Sequence, residues 1–134
     1  MAILTTADYP AIRAALDTTL DDTLLPDATI ALDPYHWAAE REVLRRDPDA
    51  ESRTGDDAKR VKLAAVYYAA ANLAPAIPRI TASALSTTSF QAKYADWSMV
   101  AALRRAEAGK LLRDVLGTTR SGQFGRASGD RGIW

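Results

Sequence analysis

The sequence has no cysteine and only one histidine. Disulfides and thiolate metal sites are therefore excluded, and so is any site that needs two imidazoles. The cysteine usage fits a reducing compartment. Aromatic residues are sparse, with three tryptophans, five tyrosines and two phenylalanines. No apolar run approaches the roughly 18 residues of a membrane span. The first residues lack a basic stretch followed by a long apolar one, so no secretory signal is expected. No glycine loop followed by Lys-Ser/Thr offers a phosphate cradle. Formal net charge is also missing, with 17 basic and 17 acidic residues.

That neutrality hides an uneven distribution. Residues 1–52 hold eleven acids against four arginines, a net −7, and the remainder carries +7. Such a split suits head-to-tail contact between copies or docking on a charged partner. It equally suits two halves that neutralise each other inside one fold. A chain of 134 residues fits one domain with a modest core.

The organising stretch is Thr54 to Pro75. Thr54 is placed to cap a helix, with Asp57 three residues on as in a capping box. Asp56 and Asp57 put negative charge at the positive end of the helix dipole. Pro75 predicts a stop at or just before Ala74. From Leu63 to Ala71 the only polar groups are the hydroxyls of Tyr67 and Tyr68. A helix apolar nearly all round belongs inside a bundle, and its alanines admit close neighbours.

Before it, Thr6 or Asp8 is expected to cap a short helix to about Leu16, with Pro10 tolerated in the first turn. Ile12 and Leu16 form its apolar stripe. Asp17 to Asp22 reads as a loop, and a short segment runs from Leu24 through Leu32. Asp33-Pro34 should open a second helix to about Arg46. Trp37, Ala38, Ala39, Val43 and Leu44 are its core candidates. Asp47-Pro48-Asp49 ends it.

After Pro75, Ala76-Ile77-Pro78 is too rich in proline for a helix. Ile80, Ala82 and Ala84 then alternate with polar residues, as do Phe90, Ala92 and Tyr94. This period of two on either side of Ser86-Thr87-Thr88 predicts a β-hairpin or extended insertion over about 78–94, although its turn lacks Gly or Asn. The other reading is a surface loop of small residues. A last helix is expected over about Ala95 to Leu116, with Asp96 at its start and Lys110 and Arg113 near its end. Trp97, Val100, Ala101, Ala108, Leu111, Leu112 and Val115 line one side, interrupted by Arg104. Gly117 suits the residue after the cap. The fold class is thus mainly α. A helical bundle domain of residues 1–117 surrounds a central apolar helix, and residues 118–134 form a flexible arm.

No catalytic constellation emerges. His36, between Tyr35 and Trp37, reads as a packed or capping residue rather than a base. The acids of the first half fall on caps and loops, and nothing selects a carboxylate pair for acid–base work. Arg104, Arg105, Lys110 and Arg113 make the last helix basic, and Arg120, Arg126 and Arg131 extend that charge. A basic helix face can sit against phosphates. No helix-turn-helix pair accompanies it, so a solvated face is the simpler reading. The arm also carries Phe124, Ile133 and Trp134, aromatic and apolar anchors of the kind that order on a partner.

Taken in order, several segments resemble the head–tail connector proteins (adaptor, or head-completion proteins) of tailed bacteriophages. These are Leu25-Pro26-Asp27, a proline-started helix with Ala39-Glu40, and an alanine-rich helix with Tyr67-Tyr68-Ala69-Ala70-Ala71. Leu73-Ala74-Pro75, Ile77-Pro78, a small-residue segment and Asp96-Trp97 follow. The likeness covers about residues 7–116 and rests on structural residues rather than on a diagnostic motif. It implies a non-enzymatic virion subunit without cofactor, metal or membrane, made in the host cytoplasm and placed at the capsid–tail junction. Such subunits form a homo-oligomeric ring, typically a dodecamer, beneath the portal protein. The ring extends the DNA channel without sequence-specific binding and carries the stopper or tail proteins. Phe124, Arg126, Arg131, Ile133 and Trp134 would then bind the portal. Ile80, Phe90, Lys93, Arg104 and Arg105 would serve the subunit interface or channel. The competing expectation is a cytosolic DNA- or protein-binding helical regulator, with salt-dependent DNA binding through Arg104, Arg105, Lys110 and Arg113.

Overall fold

A computed structural model describes residues 3–18, 20–81 and 96–124, with backbone alone at 81 and 118–124. Six α-helices are present among the described residues: α1 (Tyr9–Leu16), α2 (Asp27–Ile30), α3 (His36–Arg46), α4 (Gly55–Leu73), α5 (Ile77–Thr81) and α6 (Trp97–Phe124). The expected mainly α bundle is what forms, and α4 lies at its centre. Helices α1, α3 and α6 each pack against it. Among its residues Val61, Ala64, Ala65, Val66, Tyr68, Ala69, Ala70, Ala71 and Leu73 are buried. Apolar residues on several faces bury only when neighbours surround the helix.

The entry to α4 differs from the expected cap. Thr54 is extended, but its side chain makes no capping bond. Gly55 adopts φ +62, a left-handed conformation that glycine reaches without strain. Asp57 instead pairs with Arg60, 2.9 Å away on the same helix. A reciprocal pair of bonds forms instead ahead of α1, between Thr5, not Thr6, and Asp8, the residue that precedes the helix. The Thr5 N–H donates to Asp8 Oδ2 at 2.8 Å, and the Asp8 N–H donates to the Thr5 carbonyl at 2.9 Å. Asp8 also meets Lys62 Nζ of α4 at 3.3 Å.

Helix α1 turns Tyr9, Ile12 and Leu16 inward. Arg13 is buried with them because its guanidinium is used. Its Nε donates to the Leu25 carbonyl at 2.8 Å, and its Nη2 pairs with Asp27. These bonds anchor the turn in which Asp21 Oδ1 accepts from the N–H groups of Thr23 and Leu24, both at 3.0 Å. Leu20, Leu24, Leu25 and Ile30 complete this side of the core.

Helix α3 starts at His36, not at Pro34. The Leu32 carbonyl closes a turn on the N–H groups of Tyr35 and His36, and Asp33 offers Ala38 only its backbone carbonyl. Trp37 does not face the core as expected, being 56% exposed. Ala39 and Val43, four apart, define the buried stripe. Trp37 lies roughly 200° round the helix from Ala39 at about 100° per residue.

Beyond α4 the expectation of non-helical chain is corrected. A 3-10 turn, Ala74–Ala76, leads straight into α5. Pro75 and Pro78 are each the second residue of these short elements, within the first turn, where proline is tolerated. Ile77 is fully buried, and Ile80 packs half-buried on the core. The predicted hairpin therefore fails at its first residues, since Ile80 and Thr81 are helical; its remainder, 82–94, lies outside the described residues.

Helix α6 opens on Asp96, whose Oδ1 accepts from the Met99 N–H at 3.1 Å and from Ser98 Oγ at 2.7 Å. The expected inward stripe is present, with Trp97, Ala101, Ala108, Leu112 and Val115 buried and Val100 and Leu111 half-buried. The helix does not stop at Leu116. It continues through Gly117 to Phe124. An interior glycine costs only about 1 kcal/mol and need not end a helix. Residues 118–124 therefore extend the last helix rather than begin the arm.

Candidate interaction site

The single histidine sits in a defined network. Tyr9 Oη lies 2.7 Å from His36 Nδ1, with the two rings edge to face. His36 Nε2 lies 3.5 Å from Glu40 Oε1, one turn along α3. The other carboxylate oxygen accepts from the N–H groups of Ile3 and Leu4, at 2.8 and 2.9 Å. Burial pushes the Tyr9 hydroxyl above its usual range, helped by the nearby Asp27 and Glu40 charges. Tyr9 thus keeps its proton at neutral pH, and the donor and acceptor roles in its contact with His36 follow the tautomer of the imidazole. The chain Tyr9–His36–Glu40 has the order of a catalytic relay, but its end is structural. Glu40 clamps Ile3 and Leu4 onto α3, and Tyr9 is almost fully buried. This fits His36 as a packed residue.

Two shallow clefts adjoin the clamp. One, about 190 Å³, is lined by Ile3, Trp37, Glu40, Arg41, Leu44 and Glu51. The other, about 220 Å³, shares Ile3 and Glu51 and adds Ala58, Val61 and Lys62. At the rim the Arg41 guanidinium lies 5.7 Å from the Trp37 ring centre. No group of three or more metal-ligating side chains occurs among the described residues. No described helix is long and apolar enough to cross a membrane.

The residues singled out in the sequence are scattered. Ile80, expected at the subunit interface or channel, is half-buried on α5 and packs against the core. Arg104 is turned into the bundle. Its Nε donates to the Ala15 carbonyl at 2.6 Å, its guanidinium covers the Tyr67 ring at 5.7 Å, and it pairs with Glu107. Arg105 donates to Asn72 Oδ1 at 3.0 Å. The interruption of the inward stripe at Arg104 was the signal of this use. Phe124 ends α6, whereas Phe90, Lys93, Arg126, Arg131, Ile133 and Trp134 lie outside the described residues.

Sequence reasoning missed the outer face of α6. Met99 and Leu103, one turn apart, are 58% and 55% exposed. Ala102 and Ala106 are exposed beside them, followed by Lys110 and Arg113. Reading the last helix for its inward stripe drew attention away from this second one. Comparison with known proteins yields no match to a family model, to a curated protein or to a solved structure.

Proposed function

We propose that the chain is a structural subunit of a tailed-phage head–tail connector. It would assemble as a ring beneath the portal, extend the DNA channel and carry the stopper or tail. The observation that carries this reading is the central placement of α4, with α1, α3 and α6 around it. The likeness to the connector family rests on that same succession, from the Asp27 turn through the Tyr67–Ala71 stretch to Asp96-Trp97. The regulator reading is weakened by the engagement of Arg104 with the Ala15 carbonyl, which turns one of its four basic residues into the bundle. Arg105, Lys110 and Arg113 are the exposed basic residues left among those four, a small footprint for duplex DNA.

The test is native mass across a protein concentration series, with electron micrographs of the same samples. Closed rings with a central hole are the expected result, with or without added portal as template. A dimer whose mass shifts on addition of duplex DNA would favour the regulator. The portal role of Arg126, Arg131, Ile133 and Trp134 is tested by removing residues 125–134, which leaves α6 whole, and that of Phe124 by adding Phe124→Ala to the same truncated chain. Portal attachment should be lost with helicity unchanged, and undiminished attachment would refute it.

A further inference from the structure

The outer stripe of α6 runs Asp96, Met99, Leu103, Ala106, Lys110 and Arg113. The steps are three, four, three, four and three residues, the spacing of a coiled-coil seam. From Met99 to Arg113 every member of the stripe is exposed, as is Asp96 just before the helix. The stripe is also self-complementary when read against its own reverse. In an antiparallel pair with its two-fold axis midway between Leu103 and Ala106, Leu103 of one copy meets Ala106 of the other, a large residue over a small one. Met99 meets the aliphatic stem of Lys110, whose ammonium can still reach water. Asp96 meets Arg113, opposite charges at both ends.

We propose that this face of α6 is a docking surface for a second copy of the chain, paired antiparallel about that two-fold axis. Charge complementarity selects the occupant. A parallel pairing would set Asp96 on Asp96 and Arg113 on Arg113, which like charges oppose. The antiparallel arrangement satisfies both ends twice, as an isologous contact requires. Six side chains per copy are few beside the roughly 20–30 residues a side of a standard interface, so the pair is weak and forms at high protein concentration. Because an isologous contact closes at two copies, it is distinct from the contacts that would build a ring.

The cysteine-free sequence makes the test direct. Leu103→Cys and Arg113→Cys are prepared separately in the full chain and treated with a bismaleimide spanning about 8 Å. At about 1.5 Å per residue, the two copies of position 103 are offset by roughly 5 Å along the pair, and the two copies of position 113 by roughly 26 Å. Covalent dimer is expected from Leu103→Cys and not from Arg113→Cys. Leu103→Glu, an exposed substitution, should weaken self-association by about tenfold or more in sedimentation without changing the far-ultraviolet spectrum. Equal cross-linking at both positions would overturn the proposal, as would closed rings that leave position 103 uncross-linked. A thiol at position 103 that a small maleimide cannot reach would show the face covered by the chain itself, and would overturn it too.

Discussion

Glu40 ties Ile3 and Leu4 to α3, so Glu40→Ala should release them. The carboxylate accepts two backbone N–H groups, from Ile3 and Leu4, at 2.8 and 2.9 Å. A hydrogen bond to a charged group contributes about 1.5–3 kcal/mol, and the two here share one acceptor oxygen, so their joint loss should cost roughly 2–4 kcal/mol. Ile3 and Leu4 are buried, so the freed N–H groups gain water only if the segment lifts. The effect should therefore be local first. Amide exchange at Leu4, followed by NMR, should accelerate by roughly 30- to 700-fold, the same energy expressed as an equilibrium. Global stability, measured by urea unfolding, should fall by no more than that 2–4 kcal/mol. Glu40→Gln keeps an acceptor and should lose about 1 kcal/mol. Tyr9→Phe removes the contact to His36 but leaves both backbone bonds, and should leave Leu4 exchange nearly unchanged. Unaltered Leu4 exchange in Glu40→Ala would refute the clamp.

Alkaline pH should destabilise the fold through two tyrosines. Burial pushes the hydroxyls of both Tyr9 and Tyr68 above their usual value of 10.0. Above about pH 10 the unfolded chain binds fewer protons than the folded one, so stability falls as pH rises until the folded values are passed; Tyr9→Phe with Tyr68→Phe should flatten that slope in urea titrations between pH 9 and 12. Tyr68 Oη is buried with no hydrogen-bond partner among the described residues. Tyr68→Phe alone should therefore stabilise at pH 7 by about 1 kcal/mol, seen as a higher urea midpoint at constant slope; an equal loss would mean that the hydroxyl has a partner. Ala69 is fully buried on α4. Ala69→Leu should cost about 1–3 kcal/mol by overpacking, whereas Leu63→Ala at a partly exposed position of the same helix should cost less than 1 kcal/mol, both read from thermal unfolding.

Much of the architecture was legible because periodicity and alanine content act over whole helices. The run from Leu63 to Ala71 could be stable only if surrounded, and α4 is surrounded. Boundaries were less legible because single residues decide them. Thr54 has the chemistry of a cap, but a left-handed Gly55 already turns the chain, and Thr5 with Asp8 makes the reciprocal bond instead. Pro75 and Pro78 suggested an extended path, yet each falls where a new helical turn starts and proline is permitted. Gly117 resembled a terminator, but α6 passes through it. Trp37 was assigned inward on hydrophobicity alone, while the Ala39–Val43 spacing sets the buried face and leaves Trp37 to stack with Arg41. The candidate sites were the least legible. A basic residue such as Arg104 looks identical in sequence whether it faces DNA or the Ala15 carbonyl. His36 was read as packed, but its partners Tyr9 and Glu40 could be found only once α1 and α3 were brought together.

The buried face of α4 is made largely of alanine: Ala64, Ala65, Ala69, Ala70 and Ala71. An alanine has no rotamer freedom to lose when it is covered, so this seam orders without the entropy penalty that leucine or methionine would add. Its cohesion comes instead from how near the surrounding backbones can come. Such a seam has little tolerance for growth. Almost any substitution there must enlarge the residue and push a neighbouring helix away, whereas the larger side chains of α1 and α6 can shrink and leave only a void. Random mutagenesis should therefore divide the core in two, with insertion of bulk harmful along α4 and removal of bulk harmful around it.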